Sequence, residues 1–317
     1  YEIQRCDWSS DVCSSDLVIQ LCNRVTVLRD GRTIGTTKVE GTTKQQLAEM
    51  MVGRPFGAQP AKKPIDAHEV RLSVRDVEAL NDRSRPALRG VSFDVRAGEI
   101  VGLAGVSGNG QRTLAEVIAG LRPATRGEII LGGRNVTGQS PRQIMALGLS
   151  YIPEERMRDG MIREFSVAEN IILREFDQPP YARSGFLNQG AIQRNSRELV
   201  NSFNVKTPSL ETPAKSLSGG NIQKIILARE ISRRPHVIVA AQPTRGLDIG
   251  ATEYVHARLL EQRDQGTATL LISEDLDEVL ALADRILVIC DGRIMGDVPR
   301  AEATAEKLGL LMAGVES

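Results

Sequence analysis

Residues 217–221 read LSGGN, and Gln223 follows closely on them. The apolar residues that come next recur at helical spacing and predict a helix over residues 219–231. Two glycines at the start of a helix leave its first backbone N–H groups open to an anion such as a phosphate, and Ser218 adds a hydroxyl donor. A serine cap with a glycine-rich entry would give the same letters. The segments on either side decide between these two interpretations.

A glycine-rich loop, residues 105–113 (GVSGNGQRT), lies between an apolar run and a predicted helix. Its outer glycines have the spacing of a phosphate-binding loop, in which backbone N–H groups and a helix N-terminus face phosphate oxygens. That pattern ends in Lys and then Ser or Thr, where this chain has Gln111 and Arg112, and Thr113 stands one residue too far on. A dinucleotide fingerprint or a plain glycine-rich turn stays open from this loop alone. The candidate nucleotide-binding residues are Gly105, Ser107, Gly108, Asn109, Gly110, Gln111, Arg112 and Thr113.

A second apolar run, residues 237–241 (VIVAA), predicts a buried strand, and the segment QPTRGLD follows it at residues 242–248. Further strands are predicted at 99–104, 129–131 and 269–273, and predicted helices alternate with them. This alternation predicts an α/β fold built on a mainly parallel sheet with flanking helices.

These motifs together resemble those of ABC transport ATPases. LSGG followed by Gln resembles their signature sequence, and the resemblance runs from about residue 69 to residue 317. It implies a P-loop NTPase-type, mainly parallel sheet with an antiparallel β subdomain and a helical signature subdomain. In that family, cassettes pair head to tail, so each ATP lies between the phosphate loop of one cassette and the signature helix of the other. The residues expected to contact ATP in trans are Ser218, Gly219, Gly220 and Asn221.

The positions that carry this family's chemistry are altered here. The family's strand ends in Asp-Glu, whose Asp holds Mg²⁺ and whose Glu polarises the attacking water, but this one ends in Ala241 and Gln242. Glu274 replaces a γ-phosphate-sensing histidine, Glu154 replaces a loop glutamine, and Asp248 is kept. The resemblance therefore implies a local site that is weak or inactive in hydrolysis and lacks metal ligands of its own. ATP is the expected cofactor, with Mg²⁺ mainly at the partner cassette's site.

An internal repeat predicts a second domain upstream. Residues 24–32 (RVTVLRDGR) reappear as residues 285–293 (RILVICDGR), and the same offset relates LAEMMVG at 47–53 to LGLLMAG at 308–314. Each copy predicts a strand, an Asp-Gly turn, a second strand and a short amphipathic helix. A repeat of this length indicates tandem domains. Residues 18–53 are predicted to end a first cassette, and residues 69–317 to form a complete second one.

Two segments are set apart from these domains. Residues 54–68 carry three prolines and little periodicity, which predicts a short linker. Residues 7–17 (DWSSDVCSSDL) have no strand or helix period, and their codons can spell a string that resembles a sequencing adapter. Residues 1–17 are therefore interpreted as a non-native segment.

Composition excludes several functions. Forty basic residues balance 40 acidic ones, so no net field favours nucleic acid or anionic lipid. The apolar runs are too short to span a bilayer, which places any membrane contact on a partner. Four cysteines without CxxC spacing argue against a disulfide framework or a zinc site and fit a reducing cytoplasm.

Four short motifs are similar to those of simple-sugar and nucleoside importer ATPases: NGQ at 109–111, PEER at 153–156, AAQPTRGLD at 240–248 and SEDLDE at 273–278. This similarity implies a peripheral ATPase at the cytoplasmic face of the inner membrane, which energises import together with two transmembrane permeases. The preceding cassette is a further partner, and an extracytoplasmic solute-binding protein acts indirectly. In that family, residues 158–174 and 188–201 would be helical and would contact the permease.

Two alternatives remain open at this point. One is a soluble tandem-cassette ATPase that acts on the ribosome or nucleic acid, and the other is a non-hydrolytic dimerisation scaffold. Proteins of the first kind join their cassettes by a long, charged helical arm. The short, proline-containing linker and the neutral charge of this chain favour the importer instead.

Overall fold

The computed structural model describes residues 19, 21–29, 32–43, 46, 47, 49, 50, 62 and 69–315. They fall into two units: a smaller one within Tyr1–Ala61 together with Asp248–Glu253, and a larger one formed by Lys62–Leu247 and Tyr254–Ser317. The predicted non-native segment 1–17 lies outside the described residues, as does the predicted linker 54–68 apart from Lys62.

The smaller unit contains an antiparallel hairpin of strands β1 (Arg24–Arg29) and β2 (Arg32–Lys38). Its register shifts between Val27 and Leu28. Residues 46, 47, 49 and 50, which follow the hairpin, are helical. The two strands agree with the repeat that the sequence predicts, whereas Asp30 and Gly31 of the predicted turn are not among the described residues.

Strands and helices alternate along the larger unit. The boundary between the two units at Glu253 and Tyr254 falls inside the helix Ile249–Asp264. In chain order the elements are β3 (Val70–Leu80), β4 (Pro86–Arg96), β5 (Ile100–Ala104), α1 (Gln111–Ile118), β6 (Arg126–Leu131), β7 (Arg134–Asn135), α2 (Pro141–Ala146), β8 (Leu149–Ile152), a π-helical turn (Arg156–Gly160), α3 (Val167–Ile172), β9 (Ala182–Arg183), β10 (Phe186–Leu187), α4 (Gln189–Ser202), a 3₁₀ turn (Ala214–Ser216), α5 (Gly219–Ile231), β11 (Val237–Ala241), α6 (Ile249–Asp264), β12 (Ala268–Ile272), α7 (Leu276–Leu282), β13 (Arg285–Cys290), β14 (Arg293–Pro299), a 3₁₀ turn (Arg300–Glu302) and α8 (Ala305–Met312).

The central sheet has six strands in the order β14-β13-β5-β12-β11-β8. All neighbours in it are parallel except β13 and β14, which are antiparallel. Every residue of β5, β11 and β12 is buried. Along β11, Val237 and Val239 pack into one apolar cluster and Ile238 and Ala240 into another, so both faces of the sheet are covered. A strand buried on two faces needs a continuous apolar run, and this confirms the predicted mainly parallel sheet.

A second sheet, in the order β4-β3-β6-β7, is antiparallel throughout and forms the predicted antiparallel subdomain. The strand predicted at 129–131 belongs here rather than to the parallel sheet. It extends over Arg126–Leu131 and pairs with β3, with Val74 opposite Ile129. A three-residue apolar run predicts that a strand exists but carries no signal of its partner or direction.

The helical subdomain is less helical than the resemblance implies. Within residues 158–174, only the end of the π-helical turn and α3 are helical. α3 begins late because Ser166 caps it: the Ser166 hydroxyl oxygen accepts from the Glu169 N–H at 3.2 Å, and the Glu169 carboxylate accepts from the Ser166 N–H at 2.8 Å. The helix expected at 188–201 is present as α4, which Asn188 caps. Within the described part of the chain, no helix has the length and hydrophobicity to cross a membrane.

Candidate functional site

The glycine-rich loop lies between β5 and α1, at the carboxyl end of a central strand. Gly108 and Gly110 have φ values of +89° and +108°, a region that side chains disfavour. A Cβ atom on Gly105 would lie 2.6 Å from the carbonyl oxygen of Ile289. The loop is therefore packed at its start, while residues 106–108 are exposed.

Asn109 joins this loop to the turn between β13 and β14. Its side-chain oxygen accepts from the Asp291 N–H at 2.8 Å, and its carbonyl oxygen accepts from the Gly292 N–H at 3.0 Å. Its side-chain amide donates to the Val106 carbonyl at 3.0 Å. The polar atoms of Asn109 are thus used to hold the shape of the loop.

The side chains of the first three residues of α1 make contacts other than those expected in a standard phosphate loop. The Gln111 amide folds back and donates to the Val106 carbonyl oxygen at 2.9 Å, and only 8% of the residue is exposed. Arg112 is exposed and its Nε donates to Glu116 at 2.8 Å. Thr113 is 7% exposed, on the buried side of the helix. The loop therefore has neither the lysine amine nor the surface hydroxyl that the standard motif presents.

The carboxyl ends of β11 and β12 bring Gln242 and Glu274 together. Gln242 has a φ of +48°, and its N–H donates to the Ile272 carbonyl at 2.8 Å. The Glu274 N–H donates to the Gln242 side-chain oxygen at 3.3 Å. A neutral amide cannot take a proton from water, so Gln242 keeps a structural contact at this position without the function of a general base.

Glu154, after β8, forms an ion pair with Arg245 of the PTRGLD segment. Arg245 also lies 4.0 Å from the Glu155 carboxylate, and Arg156 donates a hydrogen bond to the Arg245 carbonyl oxygen. Burial lowers the pKa of Arg156. The sequence analysis singled out Glu154 but missed these arginines; the opposite charges in the PEER and PTRGLD segments were the available signal.

The signature segment lies at the surface of the larger unit. Ser218 is exposed and is the N-cap of α5, while residues 219–221 are partly exposed. The Ser218 hydroxyl oxygen makes no capping bond to the helix backbone and instead accepts from the Asn221 side chain at 2.9 Å. The Ile222 N–H donates to the Ser218 carbonyl at 3.0 Å. In an α-helix the N–H groups before that bond have no helical acceptor, so they are available to an anion.

Asp248 belongs to the smaller unit and comes directly before α6. Its carboxylate accepts from the Ala251 N–H at 2.8 Å, and its carbonyl oxygen accepts from the Thr252 N–H at 2.9 Å. These two bonds satisfy N–H groups of the first turn of α6. Asp248 therefore acts as a helix cap in this structure.

Glu278 on α7 ends the SEDLDE motif, but it was not among the candidate site residues of the sequence analysis. It is 3% exposed, and its Oε1 accepts from the Thr244 hydroxyl at 2.8 Å and lies 2.9 Å from His256 Nε2. Thr244 comes two residues after Gln242, so Glu278 fixes the segment that follows β11. The three side chains come from separate parts of the sequence that share no motif, and only the fold brings them together.

Comparison with known proteins shows what this arrangement is similar to. The family model described as ABC transporter matches residues 88–245. The nucleoside import ATP-binding protein NupA of Lactococcus lactis subsp. cremoris is 44% identical over 299 residues, which cover 94% of this chain and 59% of the relative. For the guanosine import ATP-binding protein NupO of Bacillus subtilis the values are 44%, 93% and 58%. For the ribose import ATP-binding protein RbsA 1 of Rubrobacter xylanophilus they are 39%, 95% and 59%. The chain thus spans less than two thirds of the length of these relatives.

Solved structures agree on the fold. A nucleotide-free ATP-binding cassette from an ABC transporter superposes with a TM-score of 0.63 at 22% identity, covering 77% of this chain and 95% of the other. The ADP conformation of the ATP-binding cassette MJ1267 gives a TM-score of 0.62 with the same identity and coverage. From the family match over residues 88–245 and the 44% identity to two import ATP-binding proteins, the chain belongs to the ABC transporter ATP-binding family.

Proposed function

We propose that this chain is part of the ATP-binding subunit of an ABC importer for nucleosides or simple sugars. Three relatives support this assignment, because they are named as import ATP-binding proteins for nucleosides, guanosine and ribose. Residues 69–317 would form a cassette with a degenerate nucleotide site, and residues 18–53 would be the end of a preceding cassette in the same full-length protein.

The observation that carries the proposal is a contrast within one domain. At the start of α5, Ser218 is exposed, its two glycines are partly exposed, and no side chain caps the first N–H groups of the helix. The same domain has Gln111 and Arg112 in its loop and Ala241 and Gln242 at the end of β11. In a head-to-tail pair, the intact part serves ATP that the partner cassette holds, whereas the altered part serves this cassette's own ATP.

One working site and one slow site follow from this contrast. Loss of a positioned general base costs about 10²–10⁴-fold in rate. The working site would combine the phosphate loop and Mg²⁺ of the preceding cassette with Ser218, Gly219, Gly220 and Asn221 of this one. The local site would bind ATP through residues 105–113 and hardly turn it over, with Gln242, Glu274 and Glu154 at the altered catalytic positions. The retained Asp248 would serve ATP held by the preceding cassette, as the signature does.

The proposed partners follow from the importer assignment. ATP binding and hydrolysis by this subunit would drive substrate transport through two transmembrane permeases. An extracytoplasmic solute-binding protein would deliver the substrate to them. The ATPase would then be a peripheral protein at the cytoplasmic face of the inner membrane. Its balanced charge gives no support for nucleic acid as a partner.

The test measures ATP binding and ATP hydrolysis separately on the purified 317-residue chain. We expect ATP to bind, with a turnover about 10²–10⁴-fold below that of the full-length protein. Brisk Mg²⁺-dependent hydrolysis by the chain alone would contradict the assignment of a slow site. If ATP did not bind at all, the cassette would be a dimerisation scaffold instead.

A further inference from the structure

A cation stands where the phosphate-loop motif normally places a metal ligand. Arg112 occupies the position whose hydroxyl binds Mg²⁺ in the standard motif. Its Nε lies 2.8 Å from Glu116 Oε1, its Nη2 lies 4.0 Å from Asp159 Oδ2, and 45% of its side chain is exposed. The hydrogen bond with Glu116 raises the pKa of Arg112, so its positive charge is permanent at physiological pH.

The residues around the loop do not fit Mg²⁺. The two usual protein ligands, the loop hydroxyl and the strand aspartate, are replaced by Arg112 and Ala241. The Glu154 carboxylate is paired with Arg245, and the Gln242 side-chain oxygen accepts from the Glu274 N–H. Across the described stretches, no group of three or more His, Cys, Asp or Glu side chains is placed to hold a metal ion.

A bound triphosphate nevertheless needs a countercharge. We propose that the local phosphate loop binds ATP without Mg²⁺, with the Arg112 guanidinium as the cation that replaces the metal. This inference rests on the proposed binding of ATP by residues 105–113. A guanidinium suits the task because it presents several N–H donors in a plane and pairs with two phosphate oxygens at once.

The neighbours of Arg112 allow it to turn towards a ligand. Glu116, its present partner, is also bound by Arg122, with Arg122 Nε 2.8 Å and Nη2 2.7 Å from Glu116 Oε2. Arg122 in turn pairs with Asp82 and donates to the Leu80 carbonyl at 2.9 Å. Release of Arg112 therefore leaves the largely buried Glu116 carboxylate still paired with Arg122, and the costly state of an unpaired, poorly solvated charge does not arise.

The experiment is calorimetric titration of the 317-residue chain with ATP, once with excess Mg²⁺ and once with EDTA. We expect the affinity to fall at least about tenfold in excess Mg²⁺, because Mg²⁺ in solution competes with Arg112 for the phosphates of ATP. Arg112→Ala should weaken binding in EDTA about tenfold to a hundredfold, the usual effect of a hydrogen bond to a charged group. Arg112→Lys should fall in between, since it keeps the charge and loses the paired donors.

The matched control is Arg142→Ala. Arg142 is also an exposed arginine in an ion pair, with Asp177 at 2.6 Å, but it lies on α2 outside the loop. Its removal should leave ATP affinity unchanged in both buffers, and circular dichroism of each variant verifies that the chain is folded.

Three results would overturn the proposal, and they are distinguishable. An affinity that stays the same or rises with Mg²⁺ would show that the site takes the metal-bound nucleotide. If Glu274→Ala abolished such a rise, the Glu274 carboxylate would be the metal ligand. If the Arg112→Ala variant bound ATP in EDTA as tightly as the wild type, Arg112 would not be a ligand of the phosphates. Absence of ATP binding in both buffers would instead refute the proposed nucleotide site on which this inference depends.

Discussion

Gly108 and Gly110 both hold left-handed backbone in the phosphate loop, but they differ in the space around them. A Cβ on Gly110 would lie 2.4 Å from the Ala87 carbonyl oxygen, whereas a Cβ on Gly108 would meet nothing within 4 Å. We expect Gly108→Ala to cost about 1–2 kcal/mol of unfolding free energy, the strain of the conformation alone. Gly110→Ala should cost more than about 3 kcal/mol, because a backbone clash is added. Urea unfolding of the two variants measures the difference, and equal losses would contradict it.

Gly108→Ala should also weaken ATP binding, because its methyl group would stand on the exposed face of the loop where phosphate is proposed to bind. Gly185→Ala is the matched control: Gly185 has a φ of +83° and open space around it, but it lies in the turn between β9 and β10. Both variants should lose similar stability. A loss of ATP affinity in both, or in neither, would argue against this placement of the phosphates.

At the scale of single residues, the sequence located the altered positions but not their contacts. The absence of lysine at 111 and of glutamate at 242 is visible in the letters. The fold-back of Gln111 onto Val106, and the contact between Gln242 and the Glu274 N–H, depend on side-chain direction. Periodicity and motif spacing carry no information on that direction, because it is set by the backbone shape of the loop for Gln111 and by packing against a distant segment for Gln242.

Among the elements, α5 is fixed by a buried charge cluster at the end opposite the signature. Glu230 is fully buried, and its Oε1 accepts from Arg229 Nε at 2.9 Å and from Arg174 Nε at 3.0 Å. Its backbone carbonyl accepts from the Ser150 hydroxyl at 2.9 Å, which ties α5 to β8. The cluster joins α5 to the chain after α3 and so sets the position of the helix that carries the signature.

Glu230→Gln should destabilise the chain by about 3–5 kcal/mol, because it leaves the buried Arg229 without a counter-ion. Glu261→Gln is the matched control. Glu261 pairs with Arg258 at 2.7 Å on α6 but is 45% exposed, and loss of an exposed pair costs at most about 1 kcal/mol. Chemical denaturation at neutral pH measures both values. Equal losses of unfolding free energy would show that the buried cluster stabilises the fold no more than an exposed ion pair does.

The difference in unfolding free energy between the wild type and Glu230→Gln should decrease as the pH is lowered. Burial by itself raises the pKa of Glu230, but the charges of Arg229 and Arg174 outweigh it and hold the pKa below the ordinary value of 4.5. A carboxyl whose pKa is depressed by folding stabilises the fold fully above its unfolded pKa and loses that effect as pH falls through the folded pKa. The difference should therefore be constant above about pH 4.5 and shrink in more acidic solution. An advantage that grew on acidification would contradict this assignment.

Elements with a strong local signal were predictable. The predicted helix 219–231 is confirmed as Gly219–Ile231, and the apolar run 237–241 is confirmed as β11. The partner of β6 and the late start of α3 were not predicted. Strand pairing is decided by contacts between distant segments. The helix start was missed because the expectation for 158–174 came from the family resemblance, whereas the reciprocal bonds between Ser166 and Glu169 begin α3 at Val167.

At the scale of the whole molecule, the two hairpins have the same register. Arg24 pairs with Lys38 as Arg285 pairs with Pro299, and the register shift at Leu28 recurs at Ile289. Their environments differ, because Leu28 is 62% exposed while Ile289 is fully buried in the central sheet. The first hairpin thus repeats the second one but leaves the apolar Leu28 exposed. This supports the proposal that residues 18–53 are the end of a preceding cassette.

The proposed tandem arrangement of two cassettes makes the last prediction specific. If the start of α5 serves ATP held by the preceding cassette, Ser218→Arg in the full-length protein should lower turnover at least about hundredfold, as the loss of preorganised donors does in other enzymes. ATP binding at the local loop should be unaffected, because Ser218 would act across the proposed cassette pair. Steady-state ATPase assays and calorimetric titration measure the two effects.

Ser202→Arg provides the control, since Ser202 is also exposed but lies at the end of α4. It adds the same charge and bulk away from the signature, and turnover should remain at the wild-type level. If Ser218→Arg also left turnover unchanged, the signature helix of this cassette would not be part of the working site. The contrast between its intact helix start and its altered loop would then need a different cause.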